Sequence, residues 1–351
     1  MKKIFIAIVA LAAATACSNS EIVSVNREAI AFDNAFVNNS TRSVVDPSFT
    51  NTADGIFEDF AVYGFVSADN QTPAAIFNGT QVVGPDWTYD GTQYWIKDAT
   101  YNFYAVAPKT DGNWTCANGN ANNSGLTLAV YNWDGTQDVL FAQAKNIRGK
   151  ASGENDPVEF NFQHILSKVK FSFTNNYDAT NSAIRVKNIM INNAYKMGYV
   201  FLGTSDNDPT WTPNQNNADT ELEFGNAAVA SATADEAFAK GATVESYNEL
   251  LLIPGAVNGG YNVTFNVEVL VNSVVVKTYN HSVNVDFTPA AGCSYDIAAT
   301  INAENINPAE ALDPIEFTVN KVIDWDKDHD GKENTAEGDT DGDNQVDTVI
   351  P

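Results

Sequence analysis

Apolar and polar residues alternate with a period of two along most of the chain. Clear runs of this kind start at Tyr101, Val158, Val169 and Tyr261, and each is bounded by Asn, Gly, Asp or Pro. Because successive side chains of a β-strand point to opposite faces, such runs predict strands with one buried and one exposed face. Only residues 235–240 (DEAFAK) predict a short helical turn. The pattern therefore predicts an all-β protein of two stacked β-sandwiches.

Polar segments mark the predicted boundaries within this pattern. The segment 175–182 is polar, so we place a domain boundary near residue 176, between a β-sandwich of residues 43–176 and another of residues 177–325. Residues 205–219 predict a loop, because two prolines in this segment block regular structure. Asn272 and Ser273 predict a turn between two strands.

The first residues of the chain have the three-part layout of a signal peptide. Lysines at positions 2 and 3 precede an apolar run at residues 4–11, and small residues at 12–16 lead to Cys17. A cysteine in this position resembles a lipobox, at which signal peptidase II cleaves and the new N-terminal cysteine is acylated. An ordinary secretory signal with an incidental cysteine is the alternative. We therefore expect residues 1–17 to be a lipoprotein signal, with Cys17 as the lipidated residue. No later segment of the sequence is apolar for long enough to span a bilayer.

Charge and composition exclude several classes of function. The formal net charge of -25 argues against binding to nucleic acid and to anionic lipid. With only three histidines in the sequence, a histidine-based zinc site or histidine-based catalysis is not favoured. We interpret His164 as a structural residue at a strand junction. No motif indicates a catalytic carboxylate pair, so we expect no enzyme activity. Cys116 and Cys293 fit either one disulfide or two independent thiols.

The last residues, 326–351, form an acidic tail that contains a calcium-loop pattern. Residues 326–337 match D-x-D-x-D-G-x5-E, in which oxygen ligands converge around a tight turn at Gly331. The predicted ligands are Asp326, Asp328, Asp330, Lys332 through its backbone carbonyl, Asn334 and Glu337. No amphipathic helix flanks the loop, so the site is not a helix-loop-helix EF-hand. We predict Ca²⁺ as a cofactor of the tail, and a solvated acidic tail is the alternative.

A series of motifs occurs in a characteristic order along the chain. They are residues 87–89 (WTY), 94–95 (YW), 101–108 (YNFYAVAP), 138–140 (DVL), 160–169 (FNFQHILSKV) and 251–254 (LLIP), followed by a final strand that ends at Trp325. Together with the lipobox and a polar leader, this order resembles the fimbrillin family of Bacteroidales, the lipoprotein pilins that build type V pili.

The resemblance implies a fold and a mechanism of assembly. It implies two transthyretin-like β-sandwiches in tandem, and export of the lipoprotein to the outer membrane through Cys17. A protease then cuts after an arginine in the leader, which removes the first strand and opens a hydrophobic groove. A strand from another subunit fills that groove by β-strand addition. Because the contact is head-to-tail and does not close, it generates a filament.

Residues 18–42 are the leader that this mechanism requires. Residues 22–36 (IVSVNREAIAFDNAF) contain the strand that would be lost. Arg42 lies in a Ser/Thr-rich stretch that we expect to be exposed, so we favour cleavage between Arg42 and Ser43 over cleavage after Arg27. An ordinary surface arginine is the alternative for Arg42. Residues 315–323 fit either a donor strand or the last strand of the second sandwich.

The expected function follows from the resemblance and from the anchor. We expect a structural or adhesive subunit of a fimbria, located at the outer membrane and cell surface. Its expected partners are other pilin subunits through strand addition, membrane lipid, and a host or bacterial surface ligand. The alternative is a surface lipoprotein that binds glycan or protein ligands without polymerising.

Overall fold

The computed structural model describes residues 27–37, 59–67, 72–109, 114–118, 125–178, 182–203, 209–228, 237–310 and 314–323. Within these ranges the chain forms twenty-one β-strands and one short 3-10 helix at Gln215–Asn217. No helix of the described part is long and apolar enough to cross a membrane. The all-β prediction is confirmed.

The first half of the chain forms most of two sheets. A seven-stranded sheet has the order β1 (Phe32–Val37), β9 (Val158–His164), β8 (Leu140–Arg148), β5 (Thr100–Ala107), β2 (Asp59–Ser67), β3 (Ala74–Val83) and β4 (Thr88–Tyr89). A four-stranded sheet has the order β13 (Thr210–Pro213), β12 (Gly198–Leu202), β7 (Leu126–Val130) and β6 (Trp114–Asn118). The Tyr63 hydroxyl on β2 donates to the Cys116 carbonyl on β6 at 2.9 Å, so the two sheets pack face to face.

The second half forms another pair of sheets. One contains β15 (Ala227–Ala228), β16 (Thr243–Ser246), β10 (Ser167–Asn175), β20 (Cys293–Ile301) and β21 (Phe317–Ile323), with β17 (Leu250–Leu252) also paired to β10. The other contains β14 (Ala218–Gly225), β11 (Ser182–Tyr195), β18 (Tyr261–Val271) and β19 (Val274–Val285). Rings from the two sheets meet in the core, with Phe173 and Phe265 at 5.2 Å between centroids. The tandem β-sandwich prediction is confirmed.

Strands are exchanged between the two halves in a way that the linear pattern does not show. Strand β10 precedes residue 176 but pairs with β16, β17 and β20, which all follow it. Strand β12 follows residue 176 but pairs with β7. The predicted boundary near residue 176 stays a prediction, and the hydrogen bonding itself crosses it in both directions.

Two local predictions are wrong and one is confirmed. Residues 205–219 are not a continuous loop: Thr210–Pro213 is β13, because Trp211 inserts into the core while its neighbours face outward. The described part of 235–240 is not helical. Phe238 is buried and exchanges two backbone hydrogen bonds with Ile184 (2.8 and 3.2 Å), so burial of this ring overrides helix propensity. Asn272 and Ser273 form the predicted turn, with φ of 51° and 65°.

Candidate functional site

Residues 27–37, which belong to the predicted leader and are called the leader segment below, lie along the open side of the seven-stranded sheet. Its β1 runs parallel to β9, and the backbone of Val158 donates to the Ala31 carbonyl at 2.8 Å. On its other side the leader bonds to the chain just after β4: Ile30 donates to the Gln93 carbonyl at 2.8 Å. The leader therefore joins the two ends of the sheet. We call the space between β9 and residues 93–95 the leader groove.

Phe32 fills the centre of the leader groove. Its side chain is 5% exposed. Five rings lie 5.5–6.1 Å from its centroid, and each belongs to a different strand, namely Phe60 (β2), Phe77 (β3), Tyr89 (β4), Phe103 (β5) and Phe160 (β9). Ile30 is buried in the same cluster. The alternation of Ile30 and Phe32 with small or polar residues places both apolar side chains on the inner face of the strand.

Glu28 fixes the N-terminal end of the leader segment. One of its carboxylate oxygens accepts hydrogen bonds from the backbone of Gly153 at 2.8 Å, from the backbone of Asn155 at 3.2 Å, and from the Asn155 side-chain amide. The hydrogen bond from the Asn155 side chain, helped by those from the backbone, holds the pKa of Glu28 below its ordinary value. The carboxylate is therefore ionised where it meets this loop.

Among the candidate processing and metal-binding residues, the structure describes only Arg27, which lies at the end of the leader groove. Arg27 immediately precedes the docked segment, with its guanidinium 6.0 Å from the centroid of the Tyr94 ring. Cys17, Arg42 and Ser43 lie outside the described residues, as do the predicted calcium ligands Asp326, Asp328, Asp330, Lys332, Asn334 and Glu337. Among the residues that are described, no group of three or more His, Cys, Asp and Glu side chains could hold a metal ion.

The strand predicted at residues 315–323 completes the second sandwich. Strand β21 pairs antiparallel with β20 at the edge of its sheet. The Phe317 ring lies 5.9 Å from Phe171 and 5.8 Å from Phe265. Of the two alternatives for this segment, the structure shows the strand within its own domain.

A buried pair of histidine and aspartate side chains lies where β8 and β9 meet, and of the two the sequence singled out only the histidine as a structural residue. His164 Nδ1 lies 2.5 Å from the Asp138 carboxylate, and both side chains are 2% exposed. The other Asp138 oxygen accepts from the backbone of Val139 at 2.8 Å. A cleft of about 560 Å³ lies next to this pair, and the Trp211 indole beside it donates to the Ile165 carbonyl. These polar groups therefore make structural bonds that hold strand ends together.

The two cysteines do not pair. No disulfide joins Cys116 on β6 to Cys293 on β20. Burial raises the pKa of Cys116 to about 12. Of the two alternatives for these residues, independent thiols are correct.

Comparison with known proteins gives one family and several distant structural relatives. No curated protein matches the chain. Similar solved structures include a candidate cell adhesion protein from Bacteroides uniformis, with 17% identity, a TM-score of 0.45 and coverage of 86% of this chain and 99% of that one. The fimbrial anchor protein Mfa2 from Porphyromonas gingivalis is similar at 12% identity and a TM-score of 0.35, with coverage of 84% and 97%. The family model described as fimbrillin-like matches residues 41–321, which is most of the sequence. The chain therefore belongs to the fimbrillin-like family.

Proposed function

We propose that this protein is a subunit of a cell-surface fimbria, exported as a lipoprotein through Cys17 and assembled after proteolytic removal of its leader. Membership of the fimbrillin-like family makes it a fimbrial, adhesin-type surface protein that associates with other fimbrial subunits rather than a member of an enzyme family. The assembly route is the part that we propose.

The docked leader segment is the observation that supports this route. Cleavage between Arg42 and Ser43 would leave β1 on the released piece, because β1 ends at Val37. Cleavage after Arg27 would instead leave β1 in the mature chain. Only the first cut vacates the leader groove, so the position of β1 favours Arg42 as the processing site.

Loss of the leader would expose a surface that a second strand can cover. The rings around Phe32 would lose their central partner, and β9 would present an unpaired edge next to them. An extended strand from another subunit supplies both the backbone hydrogen bonds and the apolar side chains that this surface lacks. Repetition of such a head-to-tail contact gives a filament, which is the structural role that we assign.

Matched arginine variants test this route. In cells that display the protein, N-terminal sequencing should find Ser43 at the start of the surface form, and gels should show a ladder of heat-sensitive multimers. Arg42→Gln should abolish both results, whereas Arg27→Gln should leave both unchanged. Cys17→Ala should abolish incorporation of labelled fatty acid into the precursor.

The opposite pattern would favour the alternative function. A monomer that keeps residues 18–42 at the cell surface, with the leader still docked, would contradict assembly by strand exchange. Saturable binding of a glycan or protein ligand by that monomer would then identify a surface lipoprotein that binds without polymerising.

A further inference from the structure

The loop at residues 151–155 is a built binding site for a carboxylate. Three donors converge on one oxygen of Glu28, and two of them are backbone N–H groups, of Gly153 and Asn155. Backbone N–H groups that point into one concavity form an anion-binding site. Gly153 has a φ of +86°, a left-handed conformation that glycine adopts without strain and that this turn requires.

The loop is held in shape by its own bonds rather than by the leader. The Asn155 side-chain oxygen accepts from the backbone of Lys150 at 2.7 Å, and its amide donates to the Ala151 carbonyl at 3.2 Å. The backbone of Glu154 donates to the same carbonyl at 3.0 Å. Lys150 forms an ion pair with Asp156 at 2.7 Å, immediately after the loop. These contacts remain when the leader leaves, so the site is pre-formed for another carboxylate.

The carboxylate site and the aromatic cavity lie at a fixed separation along the leader groove. Glu28 occupies the first and Phe32 the second, with Ile30 buried between them. Backbone pairing alone lets a strand slip along its neighbour, whereas side-chain pockets set its register. Two pockets four residues apart therefore define one register and one direction for any strand that enters the groove.

The chain contains this arrangement of side chains twice. The leader reads Glu28-Ala-Ile30-Ala-Phe32, and residues 313–317 read Asp-Pro-Ile-Glu-Phe. Isoleucine followed two positions later by phenylalanine occurs nowhere else in the sequence, and in both places an acidic residue stands two positions before the isoleucine. The second copy of the pattern leads directly into β21, with Ile315 buried.

We propose that the loop at residues 151–155 selects the strand that replaces the leader, by binding a carboxylate four positions before the aromatic residue that takes the place of Phe32. The inference rests on the proposed function, because the site is free only after the leader has gone. The ligand is an extended segment of a fimbrial subunit with the pattern acidic-x-Ile-x-Phe. Residues 313–317 of this chain show the same pattern, but Ile315 and Phe317 pack in its own second sandwich, so the occupant is a segment with this pattern on a partner subunit.

The charge of the protein explains why such a site is useful. With a net charge of -25, the chain repels acidic segments in general. A localised set of N–H donors beside Lys150 makes one acidic position favourable where the surroundings disfavour the others. The interaction therefore contributes to choice of partner and of register more than to total binding energy.

Peptide binding to the processed protein tests the proposal. The full chain is cleaved with an Arg-specific protease, the leader is removed under mild denaturant, and the refolded product is titrated with a fluorescent peptide of residues 27–37 (REAIAFDNAFV). We expect the Glu28→Gln peptide to bind roughly three to ten times more weakly, the range for an exposed charge-assisted contact. A leader peptide extended by one residue at its C-terminus, either Glu or Gln, is the matched control, since this exchange loses the same charge outside the docked segment, and the two extended peptides should bind alike.

A second pair of measurements separates this contact from general charge effects. The affinities of the unchanged and Glu28→Gln peptides should differ less for the Asn155→Ala protein than for native protein. This non-additivity is the coupling that a direct contact between Glu28 and Asn155 requires. A peptide of residues 312–323 should compete with the leader peptide, and its Asp313→Asn variant should compete less well.

The outcomes distinguish failure of this inference from failure of the proposed function. Equal affinity of the unchanged and Glu28→Gln peptides overturns the carboxylate site and leaves strand exchange intact. An equal loss on exchanging Glu for Gln in the C-terminal extension also overturns it, because the effect is then one of net charge. If the processed protein binds none of the peptides, including the unchanged leader, the groove does not exchange strands and both proposals fall.

Discussion

Replacement of Phe32 by alanine removes the ring at the centre of the leader groove. This side chain is 5% exposed and contacts rings from five strands, so its loss leaves a cavity between strands that are far apart in sequence. Truncation of a buried phenylalanine costs about 3–5 kcal/mol. Each aromatic contact adds about 0.5–1.5 kcal/mol beyond the buried area, but these contacts share one ring and are not additive. We expect about 3 kcal/mol, since β1 lies at an edge where its neighbours can relax.

Urea unfolding of the precursor measures this effect. With a slope of about 2 kcal/mol per molar urea, a loss of about 3 kcal/mol lowers the midpoint by roughly 1.5 M. Phe201→Ala is the matched control, because the same side chain on β12 is 50% exposed and its loss should change stability by less than about 0.5 kcal/mol. After cleavage at Arg42 and release of the leader, the native and Phe32→Ala proteins have the same sequence. The difference between their urea midpoints must therefore disappear.

Two results would refute this reasoning about Phe32. An unchanged midpoint in the Phe32→Ala precursor would mean that the leader segment contributes no stability to the seven-stranded sheet. A difference that persists in processed material starting at Ser43 would mean that the substitution acts elsewhere.

Four further predictions concern the rest of the chain. Asp138→Ala removes a buried hydrogen-bond partner of His164 and should lower stability by about 2 kcal/mol in a thermal or urea unfolding experiment, whereas an unchanged midpoint would contradict a structural role for the pair. Burial lowers the pKa of His281 below 6.5, so its contribution to stability is complete above about pH 6.5 and declines as the pH falls below that value. The difference in free energy of unfolding between native protein and His281→Phe should therefore vary with pH between about 5 and 7.5. A difference that is constant over this range would contradict the prediction. Burial raises the pKa of Cys116 to about 12, so a thiol reagent at pH 8 should label it only after unfolding, and rapid labelling of native protein would show that it is accessible. Calcium titration by calorimetry should give one site in the acidic tail that Glu337→Gln weakens at least tenfold, and heat that is unchanged by this variant would favour a solvated tail without a specific site.

The sequence by itself determined the elements whose side chains follow a local rule. Strand β9 alternates strictly between buried and exposed positions, and β18 alternates between buried and half-buried positions as far as Val269. The alternation is visible in the sequence before any pairing is known. The turn at Asn272 and Ser273 follows from residues that tolerate positive φ. Periodicity and turn chemistry act over a few residues, so one chain suffices to predict them.

Tertiary contacts overrode local signals at two places. The proline-containing segment predicted as a loop forms strand β13 around the buried Trp211. The segment predicted as a helical turn forms a β-bridge between Phe238 and Ile184. In both cases burial of a large ring in a distant core outweighed a propensity of less than about 1 kcal/mol per residue.

The candidate site shows the same division between sequence and structure. The sequence indicated a leader with an alternating apolar strand. It also contains the acidic-x-Ile-x-Phe pattern at two places, residues 28–32 and 313–317. Only the folded chain brought Glu28 to the N–H groups of Gly153 and Asn155, more than 120 positions away. Backbone amides carry no side-chain signature, so a site built from them becomes visible only when the strands are paired.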